Sequence, residues 1–65
     1  MSSRHITIAI DAMGGENSPY KVLKGSQIFS NNNKNTKLIF FGDEKKILSV
    51  INKEKFNIHN FDIIN

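Results

Sequence analysis

A short loop early in the chain carries the residues best suited to chemistry. Asp11 ends an apolar run, and Gly14 and Gly15 follow as an adjacent pair. Glycine lacks a Cβ atom, so the backbone N–H groups of this pair can approach an anionic oxygen closely. Asn17 lies just before a predicted helix start, whose positive end would point into the same space. The loop therefore favours a phosphate or carboxylate ligand.

The glycine spacing matches neither common phosphate-binding motif. Gly14 and Gly15 are adjacent, so the loop is neither G-x-G-x-x-G nor G-x-x-x-x-G-K-[ST]. A diglycine turn between a strand and a helix is more often a plain connection. Asp11, at a strand end, is more often a hydrogen-bond acceptor that braces the loop than a catalytic group. Anion binding by the loop is thus a hypothesis on its local pattern alone.

The two histidines add little to the possible chemistry. Neither His5 nor His59 has a carboxylate or cysteine at ligand spacing, and the chain has no cysteine, so we expect no metal site and no disulfide. His59 would end a predicted strand near the edge of the sheet where ligands bind, and it could transfer a proton there. A polar strand-end residue is the plainer interpretation. The catalytic residue is therefore unassigned, with His59 as a weak candidate.

Alternating strands and helices would position the loop. Strands are predicted over residues 5–10, 37–41 and 56–59, because these runs are apolar, β-branched or alternating. Residues 61–64 form an apolar tail whose state is left open. Residues 31–35 are expected to be a polar loop.

Two helices are predicted between these strands. Ser18 suits the N-cap of the first helix and Pro19 its first position, while Asp43 can cap the second. The second helix would end at a polar connector over residues 52–55. Gly25, inside the first helix, costs about 1 kcal/mol relative to alanine. We therefore favour the interpretation that Gly25 allows the helix to approach the sheet closely. The alternative is a glycine without a structural purpose that the helix merely tolerates.

The order βαβαβ predicts an α/β fold with a parallel sheet and right-handed crossovers. Ligands of open α/β sheets bind beyond the carboxyl ends of the strands, where residues 11–18 and 42–43 would lie. Parallel strands need cover on both faces, and two helices cannot cover three strands. We expect the start of a Rossmann-like, three-layer α/β/α sheet, with residues 1–65 an N-terminal fragment of a single larger α/β domain.

Composition limits the partners. The 65 residues carry a net charge of +3, but the lysines are scattered, so a dedicated nucleic-acid surface is not favoured. No apolar run approaches the roughly 20 residues of a membrane span. The apolar run after residues 1–5 is too short for a secretory signal, which is consistent with a cytoplasmic protein.

Residues 8–19, which contain Asp-Ala-Met-Gly-Gly, closely resemble the opening of the phosphate acyltransferases of phospholipid synthesis (the PlsX family). Gly25 matches the glycine of that family's first helix. Residues 38–44 are similar to its second strand running into Gly-Asp-Glu, and Ile58 and His59 to a strand ending in histidine. The family usually has aspartate where this chain has Glu16, and its members are several times longer.

The resemblance implies a reaction in which inorganic phosphate attacks the thioester of acyl-acyl carrier protein, giving acyl phosphate. Asp11, Gly14, Gly15 and Asn17 would then line the phosphate site, with Asp11 holding the shape of the loop. The resemblance also implies a cytoplasmic homodimer, loosely associated with membrane, without a metal or organic cofactor. We expect the 65-residue chain to be inactive by itself.

Two alternatives stay open on the sequence. One is a Rossmann-like nucleotide-binding module, which the missing third glycine and the lack of a clear ribose-binding acid disfavour. The other is a non-functional remnant of a split gene.

Overall fold

The computed structural model describes residues 5–65, which form a parallel sheet with two helices. The elements follow the chain as β1 (Ile6–Asp11), α1 (Tyr20–Asn32), β2 (Thr36–Phe41), α2 (Glu44–Glu54) and β3 (Phe61–Ile64). The predicted βαβαβ order is confirmed. Residues 1–4, which belong to the amino terminus interpreted above as lacking a secretory signal, lie outside the described part.

The sheet has the order β1-β2-β3, and both neighbouring pairs run parallel. The register places Leu38 opposite Ile8 on one side and Phe61 on the other. Two successive crossovers in the same direction place both helices on one face of the sheet. In agreement, α1 and α2 contact each other.

The core lies between this face and the helices. Leu38 and Phe40 of β2 are fully buried, as are Leu23 of α1 and Ile47 of α2. Alternate residues of each strand point to the opposite face. On that face residue 9 of β1 is exposed, and Phe41 of β2 is 41% exposed. Residues 5–65 thus supply two layers of the expected three-layer architecture.

The prediction of a third strand over residues 56–59 is wrong. These residues belong to no strand, and backbone N–H groups among them donate to side chains of α1 and not to β2. The N–H of Asn57 donates to Gln27 Oε1 at 2.6 Å, and that of His59 to Ser30 Oγ at 2.8 Å. The strand forms instead from the apolar tail, and Phe61 is the first residue to pair with β2.

The helix ends differ in part from the sequence prediction. The hydroxyl of Ser18 does not cap α1 but donates to the Gly14 carbonyl, and Pro19 precedes the first helical residue, Tyr20. The cap on α2 is confirmed, because Asp43 Oδ1 accepts from the N–H of Lys46 at 3.2 Å. That helix continues through most of the predicted connector and ends at Glu54, followed by the C-cap residue Lys55, which has a φ of 57°.

The expected close approach of the sheet to Gly25 is not found within residues 5–65. A Cβ atom built on Gly25 would have no neighbouring atom within 4 Å. The helix passes the sheet here at a distance that would accept a side chain. Neither of the two described helices has the length and apolar character needed to cross a bilayer.

Candidate anion-binding loop

The candidate loop leaves the sheet at the carboxyl end of β1. Ala12 is fully buried, and its N–H donates to the Phe41 carbonyl at 3.0 Å. Pairing between β1 and β2 therefore continues one residue beyond Asp11. The loop starts from a fixed point on the sheet edge at which open α/β proteins bind ligands.

The Asp11 side chain braces the first turn of the loop. Its Oδ1 atom accepts a hydrogen bond from the N–H of Met13 at 3.0 Å. A turn is stabilised when a short acidic side chain accepts such a bond from the backbone N–H two residues further on. A Cβ atom on Gly14 would lie 3.1 Å from Asp11 Oδ2, so glycine leaves room for this carboxylate. Asp11 thus accepts a hydrogen bond from the loop backbone, and its predicted part in holding the shape of the loop stays a prediction.

The two loops at this edge contact each other, as the strand order predicts. The Met13 side chain covers Gly42, which has a φ of +154°. The N–H of Gly42 donates to the Ile64 carbonyl at 3.0 Å. The first loop is thus attached through Met13 to the end of β2, and through Gly42 to the end of β3.

The diglycine pair directly follows Met13 and is exposed. Gly14 closes the turn made by residues 12 and 13, and Gly15 has a φ of 85°. Within residues 5–65 the N–H of Gly15 donates to no acceptor. Asn17 is also left-handed, with a φ of 60°, and its carbonyl accepts from the N–H of Lys21 at 3.0 Å. Gly14, Gly15 and Asn17 are all exposed.

His59 lies at the opposite end of the sheet from this loop. It precedes β3, and its Nε2 atom is 2.9 Å from Asn31 Oδ1, near the end of α1. The predicted position of His59 at the carboxyl edge is therefore wrong. Asn60, with a φ of 47°, separates residues 56–59 from β3. Asparagine tolerates this left-handed conformation, and is the sequence signal that could have indicated the break.

No group of three or more histidine, aspartate or glutamate side chains within residues 5–65 could hold a metal ion. The donors that the loop offers are backbone N–H groups, which bind oxyanions and not cations.

A second feature was not predicted from the sequence. An apolar groove of about 500 Å³ lies between β1 and α1, and we call it the β1–α1 groove. Its walls include Ile8, Ile10, Val22, Gly25, Phe29 and Leu38. The helical spacing of Val22 and Phe29 indicated an apolar face. How much of that face stays uncovered depends on the order of the strands in the sheet, which the helical spacing does not indicate.

Fold and loop together define an α/β protein with an open parallel sheet and a candidate oxyanion loop after its first strand. Comparison with known proteins gives a match to the family described as "Fatty acid synthesis protein" over residues 6–65. The chain belongs to this family.

Relatives named phosphate acyltransferase confirm the resemblance drawn from the sequence. The protein from Oenococcus oeni is 47% identical over 49 residues, which cover 75% of this chain and 14% of the relative. That from Pelagibacter ubique is 47% identical over 51 residues, with coverage of 78% and 15%. That from Nitratiruptor is 36% identical over 64 residues, with coverage of 91% and 19%. The chain thus spans less than a fifth of these relatives. No solved structure matches it.

Proposed function

We propose that this chain supplies the phosphate-binding loop of a phosphate acyltransferase that forms acyl phosphate from acyl-acyl carrier protein and inorganic phosphate. The shared name of the relatives supports phosphate and acyl chemistry. The observation that carries the assignment to this loop is that Gly15, an exposed residue in the loop after β1, has an N–H that donates to no acceptor within residues 5–65.

The proposed reaction needs positioning more than a side-chain nucleophile. A phosphate oxygen attacks the thioester carbonyl carbon, the carbonyl oxygen gains charge, and the C–S bond then breaks. The electron pair leaves on sulfur, which takes a proton to give free carrier protein. Backbone N–H groups at Gly14 and Gly15 would hold the phosphate or stabilise the developing oxyanion. Asp11 would keep their geometry through its bond to Met13, and Asn17 would line the same space.

The activity is proposed for the family's complete fold and not for the 65-residue chain alone. One face of the three-stranded sheet is open in residues 5–65, and the proposal assigns no general base to the loop. The cytoplasmic location, the homodimer and the loose membrane association implied by the resemblance belong to the same proposal.

Titration with inorganic phosphate, followed by amide NMR on the 65-residue chain, tests the loop assignment. We expect saturable shifts of the Gly14 and Gly15 amide signals and none from sodium chloride at equal ionic strength. Shifts confined to lysine-bearing surfaces of α2, or equal effects of both salts, would contradict the assignment. Titration with NAD and ATP tests the nucleotide-binding alternative, which saturable micromolar binding would support.

An assay for phosphate-dependent release of free carrier protein tests the second part of the proposal. The Oenococcus oeni relative serves as the positive control. We expect release from acyl-acyl carrier protein with the relative and none with the 65-residue chain. Substantial turnover by the chain alone would show that its loop and sheet are sufficient.

A further inference from the structure

The two oxygens of the Asp11 carboxylate are in different situations. Oδ1 accepts a hydrogen bond from the N–H of Met13 at 3.0 Å. Oδ2 accepts no hydrogen bond within residues 5–65, and the residue is exposed. Each oxygen of an ionised carboxylate offers lone pairs to donors and has no hydrogen to donate. Oδ2 is therefore an acceptor with unused capacity at the start of the candidate loop.

Short distances place Oδ2 against the diglycine pair. It lies 3.1 Å from the point at which a Cβ atom of Gly14 would stand, and Cγ of the same carboxylate lies 3.4 Å from that point. Gly15 follows directly, and its N–H donates to no acceptor within residues 5–65. The loop thus presents an unused hydrogen-bond acceptor and an unused hydrogen-bond donor in adjoining positions.

This pairing of acceptor and donor distinguishes oxyanions by their protons. A fully deprotonated anion accepts from the backbone N–H, but the carboxylate beside it repels the anion and receives no hydrogen bond. An oxyanion that keeps a proton donates its O–H to the carboxylate, while its other oxygens accept from the backbone. Such charge-assisted hydrogen bonds are about twice as strong as neutral ones. The loop is therefore suited to an oxyanion that carries a proton.

Phosphate and sulfate differ in this property and hardly in shape. Both are tetrahedral, but inorganic phosphate retains a proton at neutral pH and sulfate has none. We propose that Asp11 Oδ2 accepts a hydrogen bond from the O–H group of bound inorganic phosphate, so that Asp11 makes the loop select phosphate over sulfate. This inference rests on the proposed function and deepens it, because it names the form of the anion that the loop takes.

Amide NMR on the 65-residue chain tests the selection with phosphate, arsenate and sulfate at equal ionic strength. Arsenate retains a proton at neutral pH, as phosphate does. We expect the Gly14 and Gly15 amide signals to shift saturably with phosphate and arsenate, with similar Kd values. The Kd for sulfate should be at least about tenfold higher, because the hydrogen bond to the carboxylate is missing.

Asp11→Asn separates the two oxygens. The amide keeps Oδ1 as the acceptor for the Met13 N–H and places an NH₂ donor at the position of Oδ2. We expect the preference for phosphate over sulfate to fall below about threefold, because the new donor serves both anions. Unchanged hydrogen exchange at Met13 would show that the turn is intact in this variant.

Asp43→Asn is the matched control. Asp43 follows β2 at the same edge of the sheet, and its Oδ1 atom accepts from the N–H of Lys46 at 3.2 Å. The substitution removes a carboxylate charge there and keeps the acceptor, as Asp11→Asn does in the candidate loop. We expect the full preference for phosphate in this variant.

Three results would overturn the inference while phosphate still binds, and so leave the proposed function intact. They are equal Kd values for phosphate and sulfate in the unaltered chain, an undiminished preference in Asp11→Asn, and the same loss of preference in Asp43→Asn. The last of these would assign the discrimination to the net charge of the edge. The absence of any saturable shift with phosphate would overturn both the inference and the proposed function.

Discussion

The Met13 side chain occupies the space that a β-carbon on Gly42 would fill. A Cβ atom built on Gly42 would lie 2.5 Å from Met13 Cγ and 3.1 Å from Met13 Sδ. Met13 belongs to the candidate oxyanion loop, and Gly42 connects β2 to α2. The contact joins the two loops that leave the carboxyl ends of neighbouring strands, so the position of the diglycine pair depends on it.

Gly42→Ala should destabilise the protein. The new methyl group would overlap Met13, and overpacking of this kind costs about 1–3 kcal/mol. A φ of +154° is also unfavourable for alanine, with a further cost of about 1–3 kcal/mol. We expect urea denaturation, followed by circular dichroism, to show a loss of at least about 2 kcal/mol in the free energy of unfolding, close to the lower limits of these two costs.

Gly25→Ala is the matched control for this substitution. Gly25 lies inside α1 with open space around its Cα atom, so alanine should stabilise the chain by up to about 1 kcal/mol. Equal effects of the two glycine substitutions would show that the Met13 contact contributes nothing to stability.

Substitutions of Asp11 should separate its hydrogen bond from its charge. Asp11→Asn retains the Oδ1 acceptor for the Met13 N–H, whereas Asp11→Ala removes it. An exposed bond of this kind contributes about 0.5–1.5 kcal/mol, which corresponds to a roughly two- to tenfold change in amide protection. We expect faster hydrogen exchange at Met13 in the alanine variant only. Similar exchange in both variants would show that the loop keeps its shape without the brace.

Ser30 of α1 holds the segment before β3 in place. The side chain is 1% exposed, accepts from the N–H of His59 at 2.8 Å and donates to its carbonyl at 3.3 Å. Ser30→Ala would leave both backbone groups without these partners, at a cost of about 1–3 kcal/mol. Urea denaturation should show this as a lower midpoint with an unchanged slope.

Ser26 provides the comparison for Ser30 within the same helix. It is 6% exposed, but its hydroxyl donates only to the Val22 carbonyl, one turn earlier in α1. That carbonyl is also a helical acceptor, and alanine is the better helix former, so Ser26→Ala should change stability by less than about 0.5 kcal/mol. Equal losses in both serine variants would contradict an anchoring contribution of Ser30.

The element order could be predicted from the sequence because strand and helix periodicities differ clearly over residues 5–54. The third strand could not, because residues 56–59 and 61–64 both alternate well enough to form one. The choice depends on contacts distant in the chain, such as Ser30 with His59 across 29 positions. The diglycine loop was recognisable from its residues. The Met13–Gly42 contact depends on the order of the strands in the sheet, and no local sequence pattern indicates that order.

The ion pair between Lys37 and Asp62 joins β2 to β3 on the open face of the sheet. Lys37 Nζ lies 2.8 Å from Asp62 Oδ2, with the side chains 41% and 61% exposed. Exposed pairs contribute about 0.2–1 kcal/mol, and salt screens them. A double-mutant cycle with Lys37→Met and Asp62→Asn should therefore give a coupling in this range at low ionic strength, and almost none in about 1 M sodium chloride.

Lys53→Met is the control for loss of a lysine charge, because Lys53 lies on α2 and is exposed. Paired with Asp62→Asn, it should give no coupling at either salt concentration. A coupling between Lys37 and Asp62 that persisted at high salt would mean that water is excluded from this pair. The open face of the sheet would then be covered in solution, for example by a second copy of the chain. Sedimentation at the concentration of the unfolding experiment would distinguish that association from a monomer.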